Sequence, residues 1–251
     1  MDMVKTVKPH IIRAENSEAL AHETLHQFLD AAQTAINRKG VFYVAISGGH
    51  TPTAFYELLS KADVYSQIDW RKVHLFWVDE RCVRPSAEAS NFGQAVHTFL
   101  LDIPIPGENV HRVSGESADY EAAAKEYEEV ILNVFKIQPG QIPQFDLIML
   151  GMGADGHIGS LLPNSTALFE TRHLVCTVYR MDRDFSRITL TVPVIRQASK
   201  IMILISGRSK AEIVHEVFVS PPDEVKYPVH FLWPNMDKII WIMDQQAASL
   251  L

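Results

Sequence analysis

A chain of 251 residues, 47% of them hydrophobic, is long enough to bury a full core, and folded chains of this size hide roughly 70 to 75% of their unfolded surface. Its net charge of -7, with Lys and Arg scattered and no basic run, argues against a nucleic-acid surface or a polybasic membrane contact. Two cysteines make no disulfide framework, the opening MDMVKTVKPH has no apolar signal core, and no apolar run reaches the ~18 residues that span a bilayer, so the expectation is a soluble cytoplasmic protein.

Helical and strand patterns then alternate along the chain. Asn16 or Ser17 can cap a first helix whose apolar face carries Ala21, Leu25, Phe28, Leu29, Ala32 and Ile36, with Gly40 just past its end. Residues 41–46 read as a strand, and Thr51-Pro52 as the opening of the next helix, since Thr caps well and Pro fits the first turn. Residues 73–78 form a second buried strand, followed by helices over 91–101 and 118–135. The longer of these is expected to bury Ala123, Tyr127, Val130, Ile131 and Val134 and to pair Glu121 with Lys125 on its wet side. Residues 145–150, 174–178, 187–191, 201–205 and 239–243 read as further strands. Continuous Ile, Leu and Val in such strands implies cover on both faces, hence an α/β fold with a parallel sheet between helices. Without repeats or long linkers, residues 1–251 are expected to form a single α/β domain.

Four of these strands end in polar or charged residues. After the first comes Ser47-Gly48-Gly49-His50-Thr51-Pro52, whose glycines let backbone approach a ligand and whose amides and helix start suit a phosphate. The same residues also suit a tight turn with an ordinary Thr cap. After the second comes Asp79-Glu80-Arg81, where an extended chain puts Asp79 and Arg81 on one face and Glu80 on the other. An acid and a guanidinium on one face fit sugar hydroxyls and a phosphate, or simply an internal ion pair. Cys82 sits near Arg81 and Arg84, but no base is placed to activate it. The third is Gly151 to Gly156, a literal G-x-G-x-x-G. It lacks the long helix a dinucleotide site needs, because Pro163 interrupts within two turns. Asp155 and His157 carry more chemistry there: a neutral imidazole is the natural general base near neutral pH, and a carboxylate can orient it. Arg187, opening RITLT, and Lys210 in Ser206-Gly207-Arg208-Ser209-Lys210 are candidate phosphate clamps or solvated surface charges.

SGGHTP, WVDER with Ser90-Asn91-Phe92 behind it, LGMGADGHIGSLLP, RITLTVPVI and GRSKA stand in the order and approximate spacing of the 6-phosphogluconolactonase family, which the chain resembles over nearly its whole length. The resemblance implies a doubly wound, mostly parallel Rossmann-like sheet with helices on both faces, as in glucosamine-6-phosphate isomerase, with the site at the carboxyl ends of the strands. It implies hydrolysis of 6-phospho-D-glucono-1,5-lactone to 6-phospho-D-gluconate, the second step of the oxidative pentose phosphate pathway, without metal or organic cofactor. The active-site histidine falls on His157, with Asp155 or Asp79 as the acid that orients it. Phosphate contacts fall on Gly48, Gly49, Thr51, Arg81, Arg187 and Lys210. The implied partner is a phosphorylated sugar lactone, not nucleic acid or membrane, acted on by a monomer or small homo-oligomer. Ala154, where the family usually has Pro, and Ile158-Gly159, where it has Thr-Ala, depart from the pattern. The alternatives are an isomerase or deaminase acting on an amino-sugar phosphate, and a sugar-phosphate-sensing module. Against the first, Arg81 replaces a Tyr and Ser160-Leu161-Leu162-Pro163 offers no carboxylate; against the second, no helix-turn-helix or basic face is evident.

Overall fold

The computed structural model describes residues 8–180 and 185–251. In chain order its elements are β1 (His10–Ala14), α1 (Ser17–Lys39), β2 (Phe42–Ile46), α2 (Thr53–Leu59), α3 (Ala62–Tyr65), β3 (Val73–Trp77), β4 (Asp79–Arg81), α4 (Asn91–Ala95), β5 (Val110–His111), α5 (Tyr120–Phe135), β6 (Leu147–Gly151), β7 (Val175–Val178), β8 (Arg187–Leu190), α6 (Val192–Gln197), β9 (Lys200–Ile205), α7 (Ala211–Val219) and β10 (Ile239–Asp244).

α1 starts and stops where its capping residues dictate. Asn16 Oδ1 accepts from the Ala19 amide at 2.9 Å, and Gly40 adopts φ 80° while its N–H closes on Ile36 O. The predicted apolar face of α1 packs inward, with Ala21, Leu25, Phe28 and Ala32 buried and Leu29 and Ile36 partly so. α5 buries Ala123, Tyr127 and Ile131, whereas Val130 and Val134 are only half-buried. Its Lys125 pairs with Glu129 rather than with Glu121. The helix expected over 91–101 is α4 followed by a π turn at Val96–Leu100.

Seven strands form one wholly parallel sheet in the order β1-β10-β9-β6-β2-β3-β5. Adjacent residues of β2 show why both faces are covered. Phe42 meets Phe28 of α1, ring centroids 5.5 Å apart, while Tyr43 meets Phe135 of α5 at 4.3 Å on the opposite face. From β2 the chain winds outward to β3 and β5, and from β6 it winds the other way to β9 and β10. The β2–β6 seam is therefore the topological switch point, where open α/β sheets have their ligand crevice.

Two strands expected in this sheet, 174–178 and 187–191, lie elsewhere. β7 and β8 join β4 in a separate antiparallel sheet ordered β4-β8-β7. The chain passes directly from β3 into β4 through Val78, whose N–H bonds Ile46 O in the large sheet and whose carbonyl accepts from Leu190 N in the small one. This hand-over puts Asp79 and Arg81 above the carboxyl end of the parallel sheet. Among the described residues no helix is long and apolar enough to cross a membrane.

Candidate active site

The polar strand ends converge at the switch point around a cavity of about 460 Å³, within the range that encloses small ligands. Gly48, Gly49, Thr51, Asp79, Arg81, His157, Arg187 and Lys210 all line it. Asp155 stands behind His157 and lines a neighbouring cleft instead.

The turn after β6 is folded tightly on itself by bridges from Met152 to Ile158 and from Ile158 to Leu161. Within it, His157 Nδ1 lies 2.6 Å from Asp155 Oδ1, which also accepts from the His157 amide at 3.2 Å. Asp155, not Asp79, is thus the acid that orients the imidazole. With Nδ1–H donated to the carboxylate, Nε2 is left as the basic nitrogen. Burial acts to raise the Asp155 pKa, but the hydrogen bond and charge of His157 outweigh it and bring the carboxyl down to about 2. Of the residues departing from the family pattern, Ile158 is fully buried, and Gly159 adopts φ +53° with Val78 and Thr189 crowding the place of a side chain.

Asp79 has a different environment. Its Oδ2 accepts from Ser160 Oγ at 2.6 Å, and Asn91 Nδ2 donates to its backbone carbonyl at 2.8 Å. Glu80, on the opposite side of the extended chain, is buried and structural. Its two oxygens accept from the amides of Arg81, Asn91 and Phe92 and from Ser90 Oγ, tying α4 to β4. Burial raises the Glu80 pKa despite those amide bonds, and Asp79 adds to the rise. Arg81 and Arg187 are directly opposite each other in the β4–β8 register, so two guanidiniums share one face of the cavity. Arg81 Nη1 is steadied by Ala89 O at 2.7 Å. Burial pushes the Cys82 thiol up to about 12, with Glu80 contributing, which disfavours its thiolate.

The glycine loop departs from expectation in two ways. α2 begins at Thr53 with Pro52, not Thr51, at its cap, and Thr53 Oγ1 turns back to donate to Gly49 O. The Gly49 amide, expected to face a phosphate, donates instead to Gln94 Oε1 at 2.8 Å. Ser47 Oγ donates to Met149 O and so pins this loop to β6. On the far wall, Lys210 Nζ donates to Met152 O at 2.7 Å. Burial lowers its pKa against the upward pull of Asp155. The loop before it is held by Asp244, which accepts from Ser206 Oγ and from the Gly207 and Ala247 amides. Asn91, Gln94, Ser160 and Asp244 were not expected in these roles. Asn91 carried a signal as part of Ser90-Asn91-Phe92, and Asp244 as one more acid closing an apolar strand.

This fold and site define a class. Residues 15–241 match the family model described as glucosamine-6-phosphate isomerases/6-phosphogluconolactonase, and the chain belongs to that family. Within it, a 6-phosphogluconolactonase of Synechocystis sp. is 36% identical over 236 residues, covering 94% of this chain and 95% of the relative. The one from Haemophilus influenzae is 34% identical over 209 residues, 83% and 87% of the two chains. The solved 6-phosphogluconolactonase from Trypanosoma cruzi superposes with a TM-score of 0.86 at 27% identity, covering 97% of each chain. A monomeric glucosamine-6-phosphate deaminase shares the fold, with a TM-score of 0.79 at 20% identity over 96% of this chain and all of the other.

Proposed function

We propose that this chain is a 6-phosphogluconolactonase, hydrolysing 6-phospho-D-glucono-1,5-lactone to 6-phospho-D-gluconate in the pentose phosphate pathway. The observation that carries the reading is one cavity holding both His157, backed by Asp155, and the cations Arg81, Arg187 and Lys210. It brings a general base and an anion-holding wall to bear on one small molecule.

A lactone is an activated ester, so no covalent enzyme intermediate is required. His157 Nε2 takes a proton from water as the water oxygen bonds to the lactone carbonyl carbon. When the tetrahedral intermediate collapses, the bond to the ring oxygen breaks and the imidazolium returns the proton to that oxygen. Asp155 keeps its hydrogen bond with His157 Nδ1–H throughout, which holds the imidazole in the tautomer that leaves Nε2 free to act. Arg81 and Arg187, with the glycine loop, take the phosphate, and this remote binding energy orients the carbonyl over the base. In this reading Asp79, held by Ser160 and Asn91, accepts a sugar hydroxyl. Because the site draws on both sheets, the chain acts as one catalytic unit, in the cytoplasm, on a phosphorylated sugar lactone.

The test follows freshly made 6-phosphogluconolactone with and without the protein, coupled to 6-phosphogluconate dehydrogenase, with glucosamine 6-phosphate run in parallel. A protein-dependent excess over spontaneous hydrolysis, lowered by roughly 10²-fold or more in His157→Ala, is expected. Full activity in that variant would end the general-base assignment, and turnover of the amino sugar alone would move the chain to the deaminase side of its family.

A further inference from the structure

The loop from Ser47 to Pro52 does little to hold its own shape. Its internal bonds are long: Thr53 N to His50 O spans 3.3 Å and Thr53 Oγ1 to Gly49 O spans 3.2 Å. Gly49 itself sits at φ +99° with open space where a side chain would be, so packing does not hold it either. The short bonds come from outside. Gln94, on α4, accepts from the Gly49 amide at 2.8 Å and donates to the Gly49 carbonyl at 2.7 Å, meeting both polar groups of that residue with one planar amide. The same Nε2 donates to Thr53 Oγ1 at 3.0 Å. A flipped amide would face N–H with N–H, so the network leaves one orientation.

α4 is itself fixed to the acidic strand end. Three residues before Gln94, on the same face of the helix, the Asn91 amide is held by Glu80 at 2.7 Å, and its side chain reaches Asp79 O. Gly48 is packed so closely on Asn91 that an added Cβ would lie 2.0 Å from its Oδ1. α4 is thus a strut between two parts of the cavity carried by different sheets: the glycine loop after β2 and the Asp79-to-Arg81 segment in β4.

We propose that Gln94 is a positioning residue for phosphate recognition: by clamping Gly49 it sets the glycine loop at the right distance from Arg81 and Arg187, so that one anion meets both. The proposal rests on the phosphate-site reading given above. Gln94 touches neither His157 nor Asp155 in this network, so its effect is on binding rather than on proton transfer.

Gln94→Met keeps the length and bulk of the side chain and removes all three bonds. Calorimetric titration with inorganic phosphate is expected to show affinity weakened about tenfold or more, KM for the phosphorylated lactone raised by a similar factor, and kcat within about threefold of the parent. A residue that merely stabilised the fold would lower the melting temperature and leave the phosphate affinity of the folded protein unchanged, which would overturn the proposal. Should Gln94→Met not fold, Gln94→Glu retains the acceptor for the Gly49 amide but turns a carboxylate toward the Gly49 carbonyl, and the same loss of phosphate affinity is expected. The titration needs no turnover, so the two readings fail separately. Wild-type protein that binds phosphate but does not hydrolyse the lactone contradicts the activity alone, whereas variants that bind phosphate like wild type contradict the role of Gln94 alone.

Discussion

Asp155 and His157 are two positions apart, and two glycines let a carboxylate and an imidazole meet over so short a loop. At Gly153 an added Cβ would lie 2.1 Å from His157 Nδ1, and Gly156 turns at φ +80°. Gly151, by contrast, faces open space. Of the three glycines in the G-x-G-x-x-G spelling, only Gly153 packs against the imidazole, while Gly156 turns against Tyr227, so the spelling has no single cause here. The pair also has a pH signature. Its carboxyl, at about 2 in the folded chain against an ordinary 3.8, contributes stability that is complete above the ordinary value and is lost as pH falls toward about 2. Thermal melts of wild type and Asp155→Asn should differ most near neutral pH and converge in acid; a gap that stays constant as pH falls would show that the pair is not coupled in this way. Both residues could be singled out in the sequence, because a polar turn after an apolar strand is visible there. Which acid serves the histidine was not legible, since Asp79 and Asp155 come at equivalent strand ends and only the fold gives Asp79 to Ser160.

α4 shows what a short element can do when its first turn is anchored. Ser90 caps it by accepting from Gly93 N at 3.0 Å, and Glu80 gathers the amides of Asn91 and Phe92. Glu80→Gln would set an NH₂ against donors that now meet an oxygen. A loss of roughly 1–3 kcal/mol in urea unfolding is expected, the cost of a buried donor left without its acceptor. An unchanged midpoint would mean that Glu80 is dispensable. Elsewhere α1, α2, α4, α5 and the central strands were legible because their periodicity and continuous apolar runs report burial directly, whereas α3 and α6, of four and six residues, are too short to show a period. β1 escaped notice because HIIRA at the sheet edge buries only Ala14 fully, and β5 because two residues make no pattern. The direction of β7 and β8 escaped for another reason. A buried apolar strand reads the same whether its neighbour runs parallel or antiparallel, and it is the switch of sheets at Val78 that decides.

For the molecule as a whole, a chain of net charge -7 brings Arg81, Arg187 and Lys210 together around one cavity, so positive side chains gather at one place in a chain that is acidic overall. The two cysteines report on the integrity of the same fold. Burial pushes both thiols to about 12, helped at Cys82 by Glu80 and at Cys176 by Glu170 and Glu121. With so little thiolate near neutral pH, a disulfide reagent should label the native protein only as fast as it opens, and at once in denaturant. Labelling within seconds under native conditions would contradict this. By itself the sequence determined the strand-and-helix alternation, the polar strand ends and the residue types able to bind phosphate and move a proton, because hydrophobic period, turn chemistry and motif order are local properties of the chain. Only the tertiary structure decided that His157 is served by Asp155, that Arg81 faces Arg187, and that Gln94 rather than the loop itself holds Gly49. Each of these depends on distances between segments tens of residues apart or on the handedness of a tight turn, and such distances exist only once the two sheets are packed together.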